Sequence, residues 1–140
     1  MQVVNFFKED IDFKLINEDY ISNWIKTIIE KEGFGLQELN FIFCSDEYLY
    51  QMNIDYLNHD TYTDIITFDN SEEDEQIEGD IFISIDRVRD NANSIKSPFE
   101  DELARVIIHG VLHLMGHKDK TPEEERGMRE KEEACLSLRP

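Results

Sequence analysis

Residues 97–119 constrain this chain more than any other stretch. Ser97-Pro98 marks a helix start, and the residues that follow include Leu103, Val106, Ile107, Ile108, Val111, Leu112 and Leu114, at helical spacing. His109 and His113 stand at i and i+4 in that helix. They share one face, with Cβ atoms about 5–6 Å apart. Two imidazoles so placed reach one ion at a Zn–N distance of about 2 Å. Gly116 comes three residues after His113, and Asp119 three after that. A glycine there can take φ > 0 and fold the chain back, which brings Asp119 to the same ion. Two histidines and one carboxylate leave a fourth position open to water, as in a catalytic rather than a structural zinc site. His117 is the alternative third ligand. It lies one residue past the glycine, so a turn at Gly116 points it away. One Zn2+ suits this ligand set, and Ni2+ or Fe2+ would also fit.

The remaining elements follow from periodicity and stop signals. Residues 2–7, 39–44, 63–68 and 79–86 read as strands, the last through apolar/polar alternation. Residues 14–32 read as a helix that stops at Gly33. Ser45 or Asp46 caps a second helix through Leu49, Met52 and Leu57. A short third helix follows Asp86, with Val88 as its apolar contact. Thr121-Pro122 opens a last helix with acids in its first turn. Its expected buried side carries Met128, Ala134, Cys135 and Leu136. The acidic run 69–76 reads as a solvated hairpin loop. Without strict βαβ alternation, the expected fold is α+β: one domain over 1–140, a small mixed four-stranded sheet and about five helices.

Lys and Arg number 14 against 32 Asp and Glu, a net charge of −18. That argues against broad, nonspecific nucleic-acid binding, while leaving room for a local basic groove. Cys44 and Cys135 form neither a disulfide framework nor a zinc ribbon, and Cys44 reads as a buried thiol. The amino terminus lacks signal-peptide character. No apolar run approaches the roughly 20 residues of a membrane span. A cytoplasmic location is expected, with no membrane partner.

The spacing His-x-x-x-His-x-x-Gly-x-x-Asp is similar to the zinc-binding helix of metzincin proteases. The fuller string His109-Gly-Val-Leu-His113-Leu-Met-Gly116-His-Lys-Asp119 resembles the YbeY family of bacterial rRNA maturation factors more closely. Met52-Asn53, Tyr56, Asp60 and Thr63-Asp64-Ile65-Ile66-Thr67-Phe68 resemble an upstream motif of that family, and Gly79-Asp80-Ile81-Phe82-Ile83-Ser84 a second. The likeness covers roughly residues 40 to 136. It implies a zinc-dependent endoribonuclease specific for single strands, acting in rRNA maturation, 16S 3′-end processing and ribosome quality control. The implied partners are ribosomal RNA and the small ribosomal subunit, not DNA. Carried over by position, the ligands are His109, His113 and Asp119, the last standing where the family usually has a third histidine. Two positions depart from the pattern: Leu57 stands where the family usually has an arginine, and Tyr62 where it has a proline.

Gly110 stands where a His-Glu-x-x-His protease has its general base, so peptide hydrolysis by that route lacks its base. A zinc-bound water, its pKa lowered to about 7, would instead attack a phosphodiester. Arg105, four residues before His109 on the same helical stripe, is the candidate to hold the phosphate in place of the missing arginine. A salt-bridge role is the competing reading. Asp64 is the candidate to orient a histidine ligand through its free ring N–H. Asn53 and Tyr56 share a helix face, His59 reads as a surface residue, and Lys118 and Lys120 flank Asp119. Two other readings stay open: a ribosome-associated factor with weak or no nuclease activity, and a metal-dependent hydrolase of another substrate.

Overall fold

From Gln76 to Ser84 the chain alternates faces. Ile77, Ile81 and Ile83 are buried on one side of the strand, and Asp80 and Phe82 take the other. This strand organises the sheet. A computed structural model describes residues 3–139, in the order β1 (Val4–Glu9), α1 (Glu18–Lys31), β2 (Gly35–Cys44), α2 (Asp46–Leu57), β3 (Ile65–Asp69), β4 (Gln76–Ser84), α3 (Ile85–Ile95), α4 (Phe99–Leu114) and α5 (Pro122–Leu136). The strands lie in the order β1-β2-β4-β3. β1 and β4 run parallel to β2, and β3 pairs antiparallel with β4. The expected α+β fold, with a mixed four-stranded sheet and five helices, is the fold found. Among the described residues no helix is long and apolar enough to cross a membrane.

Several boundaries moved, each for a physical reason. β1 starts at Val4, and Gln2, the expected first strand residue, lies outside the described residues. β2 begins at Gly35 rather than residue 39, because its ladder with β4 recruits Gly35 and Leu36 ahead of the apolar run. β4 begins at Gln76 for the same reason. β3 starts two residues later than the β-branched stretch suggested and ends one later, where it pairs with β4. α1 begins at Glu18 rather than 14, after Asn17 takes a left-handed φ of 62°. Leu15 still reaches the core, from the segment ahead of the helix. Residues 69–76 do close the β3–β4 hairpin, with the Asn70 N–H donating to the Glu78 carbonyl at 2.8 Å.

α4 packs against β3 and β4, with α3 and α5 beside it. Those neighbours explain why its apolar residues cover most of its circumference: Leu103, Val106, Ile107, Ile108, Val111 and Leu112 are all buried. α2 covers the opposite face of the sheet, where Leu49 packs with Cys44 and Ile66. Burial, reinforced by the nearby Asp86 charge, pushes the Cys44 thiol up to about 12. At α5, the Thr121 hydroxyl accepts from the Glu124 N–H at 3.1 Å while the Glu124 carboxylate accepts from the Thr121 N–H at 3.0 Å. That reciprocal cap fixes where the helix starts. Its buried side differs from expectation. Met128 and Cys135 are buried, but Ala134 is exposed and Glu132 is buried in its stead. Residues 128, 132 and 135 fall at i, i+4 and i+7, one true helical stripe.

Gly110 marks where α4 approaches the sheet. An added Cβ would lie 2.8 Å from the Cδ1 of Ile65 and 3.1 Å from two carbons of Ile81. Gly110→Ala is expected to be nearly neutral, because a helix-propensity gain of about 1 kcal/mol offsets the crowding. Gly110→Glu, which restores the protease pattern, buries an unpaired carboxylate there. It is expected to destabilise by about 3 kcal/mol or more in urea denaturation.

Candidate metal centre

His109 and His113 project from the last two turns of α4. The helix stops at Met115, and Gly116 follows with φ 95°. No atom would obstruct a Cβ at Gly116, so the demand there is purely conformational. The reversal returns Asp119 to the histidines, as the spacing predicted. Asp119 Oδ2 lies 3.3 Å from His109 Nε2 and 3.3 Å from His113 Nε2, and the two Nε2 atoms are 3.0 Å apart.

That triangle is a test of fit for a metal. Tetrahedral bonds of about 2.0–2.1 Å put ligand atoms about 3.3 Å apart, close to all three sides. Two inward-facing imidazole nitrogens 3.0 Å apart also repel each other unless a cation or proton lies between them. His109, His113 and Asp119 could therefore hold one metal ion. The C-terminal end of α4, beside His113, adds negative potential that favours a cation. The side chains are 19%, 28% and 36% exposed respectively, so the group lies open to a substrate rather than sealed in the core.

His117 takes no part in the triangle. Its Nε2 lies 4.0 Å from the carboxylate of Glu32, which pairs with Lys131. The turn at Gly116 sends it toward α1 and α5. Lys118 and Lys120 are exposed on either side of Asp119, and His59 is at the surface. Asn53 is buried and donates to the Thr61 carbonyl at 2.8 Å, which holds the loop leading to β3. Tyr56 and Leu57 are 69% and 41% exposed, so Tyr56 is not a core residue.

Arg105 takes the salt-bridge role that its position also allowed. Its Nε and Nη2 donate to Glu102 at 2.9 and 2.6 Å, and its Nη1 donates to Glu132 at 3.3 Å. The Glu102 hydrogen bond holds its pKa above the ordinary value despite burial. A guanidinium already neutralised by two carboxylates is poorly placed to draw a third anion. Asp64 lies near both Arg105 and His109. Burial raises its pKa, and those two neighbours oppose the rise.

The carboxylate on the outer nitrogen of His109 is Glu132, at 2.5 Å from Nδ1. Reading the sequence assigned this residue no role. It sits 23 positions from His109 on a mostly charged helix. Its only local signal was its place between Met128 and Cys135 on one stripe. Burial works against a charged His109. The hydrogen bond and charge of Glu132, with Asp119 and Asp64, outweigh burial and raise its pKa.

Three comparisons bear on the assignment. A family profile described as Endoribonuclease YbeY matches residues 5–138. Proteins named Endoribonuclease YbeY are similar to the chain in Cytophaga hutchinsonii, 59% identical over 99% of this chain and 96% of that protein, and in Flavobacterium psychrophilum, 52% identical over 94% of each. A Porphyromonas gingivalis protein of the same name is 44% identical over 99% of this chain and 91% of its own. A solution structure from Thermotoga maritima superposes with a TM-score of 0.67 at 27% identity, over 96% of this chain and 87% of that one.

Two substitutions separate the candidate third ligands. Asp119→Ala is expected to lose bound zinc and His117→Ala to keep it, as measured by elemental analysis of purified protein. The reverse pattern would overturn the ligand set.

Proposed function

This chain belongs to the YbeY family, and on that premise we propose that it is a metal-dependent, single-strand-specific endoribonuclease. Its place is in rRNA maturation, including 16S 3′-end processing, and in ribosome quality control. Its partners are ribosomal RNA and the small subunit in the cytoplasm, and residues 1–140 act as one metal-binding domain. The observation that carries the reading is the partly exposed triangle of His109, His113 and Asp119, with sides of 3.0 and 3.3 Å. Zn2+ is the proposed ion.

The chain's own residues divide the work. His109 and His113 present Nε2 lone pairs, and Asp119 adds a carboxylate that partly offsets a divalent charge. When bound, the ion supplies Lewis-acid polarisation of a phosphoryl oxygen and activates water near neutral pH. Gly110 cannot be replaced by a carboxylate base without displacing Ile65 and Ile81, which speaks against a protease of the His-Glu-x-x-His type. Asp64 lends negative potential beside His109. Arg105 serves the site through Glu132 rather than by touching phosphate, and Lys118 and Lys120 supply local positive charge beside Asp119.

A second reading, a ribosome-associated factor with weak nuclease activity, is favoured by Leu57. An exposed apolar side chain stands where the family pattern has an arginine.

His113→Ala is expected to reduce cleavage of single-stranded RNA at least 100-fold while ribosome association persists, measured with purified protein and by cosedimentation. If cleavage by the wild-type protein is negligible and the variant supports rRNA processing in cells, the ribosome-associated reading takes its place. Arg105→Ala is expected to leave RNA affinity unchanged, measured by filter binding. A clear loss of affinity would return Arg105 to the phosphate.

A further inference from the structure

Four linked side chains stand behind the triangle of His109, His113 and Asp119, the two glutamates buried and Arg105 and His109 partly exposed. Glu102 is 2% exposed and holds Arg105 through two hydrogen bonds of 2.9 and 2.6 Å. Arg105 Nη1 reaches Glu132 Oε1 at 3.3 Å. The other oxygen of Glu132, Oε2, lies 2.5 Å from His109 Nδ1. Glu132 is 5% exposed and comes from α5, whereas the other three belong to α4.

A buried carboxylate on a mostly surface helix needs compensation, since desolvating one unpaired costs several kcal/mol. Arg105 supplies one partner. The remaining hydrogen-bonding capacity of Glu132 is directed at the outer nitrogen of one ligand rather than at a backbone group.

The orientation follows from donor and acceptor rules. With Glu132 ionised, its Oε2 can only accept, so Nδ1 of His109 must carry the hydrogen. Nε2, at 3.3 Å from Asp119 and 3.0 Å from His113 Nε2, then offers its lone pair to the ion. Glu132 thus selects the tautomer that ligates and fixes the plane of the ring.

We infer that Glu132 is a positioning residue for the metal centre, orienting His109 through Nδ1–H, and that Arg105 and Glu102 hold Glu132 in place. This rests on the metal-site reading proposed above and extends it to a residue that touches neither metal nor substrate. It also makes α5 part of the site: the helix must be docked for His109 to be oriented, and an ion bound to His109 favours the docked helix.

Removing such a partner typically costs 10–100-fold in metal affinity. Glu132→Gln keeps the shape but loses the charge. Glu132→Ala removes the contact. Met128→Ala trims the core packing of α5 while leaving the helix docked and His109 untouched, and controls for packing alone. Zn2+ affinity is read by competition with a chelator, and the His109 Nδ1–H proton by NMR of the zinc-loaded protein. Expected are a loss of about 10-fold for Glu132→Gln and up to about 100-fold for Glu132→Ala, each with the Nδ1–H resonance shifted or lost. Met128→Ala is expected to lower Tm while keeping affinity within about threefold and the resonance intact. Should Glu132→Ala not fold, Glu132→Gln decides by the same two readouts. Wild-type affinity and an unmoved resonance in Glu132→Gln would overturn the inference, as would a Met128→Ala loss equal to that of the Glu132 variants. Failure of the wild-type protein to bind Zn2+, or unchanged binding in His109→Ala, would overturn the metal reading and this inference with it.

Discussion

At Gly110 the backbone of α4 comes so close to the sheet that a Cβ would meet Ile65 Cδ1 at 2.8 Å. That approach fixes the height of the helix over β3 and β4, and with it the positions of His109 one residue before and His113 three residues after. Ile107, Ile108, Val111 and Leu112 bury the rest of the helix. Packed this way around Gly110, the helix directs both imidazoles to one point, their Nε2 atoms 3.0 Å apart. The same contact removes the space a protease base would occupy. One packing constraint thus places both histidines and limits the room beside them.

Electrostatics completes the centre. A chain with net charge −18 repels polyanions over most of its surface. The same acidity favours a divalent cation at a site where Asp119, Asp64, Glu132 and a helix C-terminus converge. The cost of burying Glu132 and Glu102 is met locally by Arg105, which bridges them. On the proposed function, RNA binding would therefore rest on a few local cations and the metal rather than on a broad basic face. Lys118 and Lys120, exposed beside Asp119, are the nearest such cations in sequence.

Much of the fold was legible because its signals are local. The alternation in β4, the Thr121-Pro122 cap and the apolar density of α4 each specify an element from within itself. Boundaries were less legible where an element is extended by its partner, as when β2 starts at Gly35 because β4 offers a ladder there. The Tyr56 side chain, placed on one helix face with Asn53, lies at the surface because α2 turns Leu49 and Asn53 inward instead.

The triangle of His109, His113 and Asp119 followed from local spacing. The i, i+4 pair, the turn at Gly116 and the return of Asp119 all lie within eleven consecutive residues, and helix geometry with one positive φ is enough to bring them together. Tertiary structure decided what stands behind the triangle. Glu132 meets His109 across 23 positions and Arg105 across 27. No periodicity links those residues, because their meeting depends on how α5 docks against α4. From the sequence, Arg105 could hold phosphate or pair with an acid. The fold places it between two buried acids, where its charge offsets theirs.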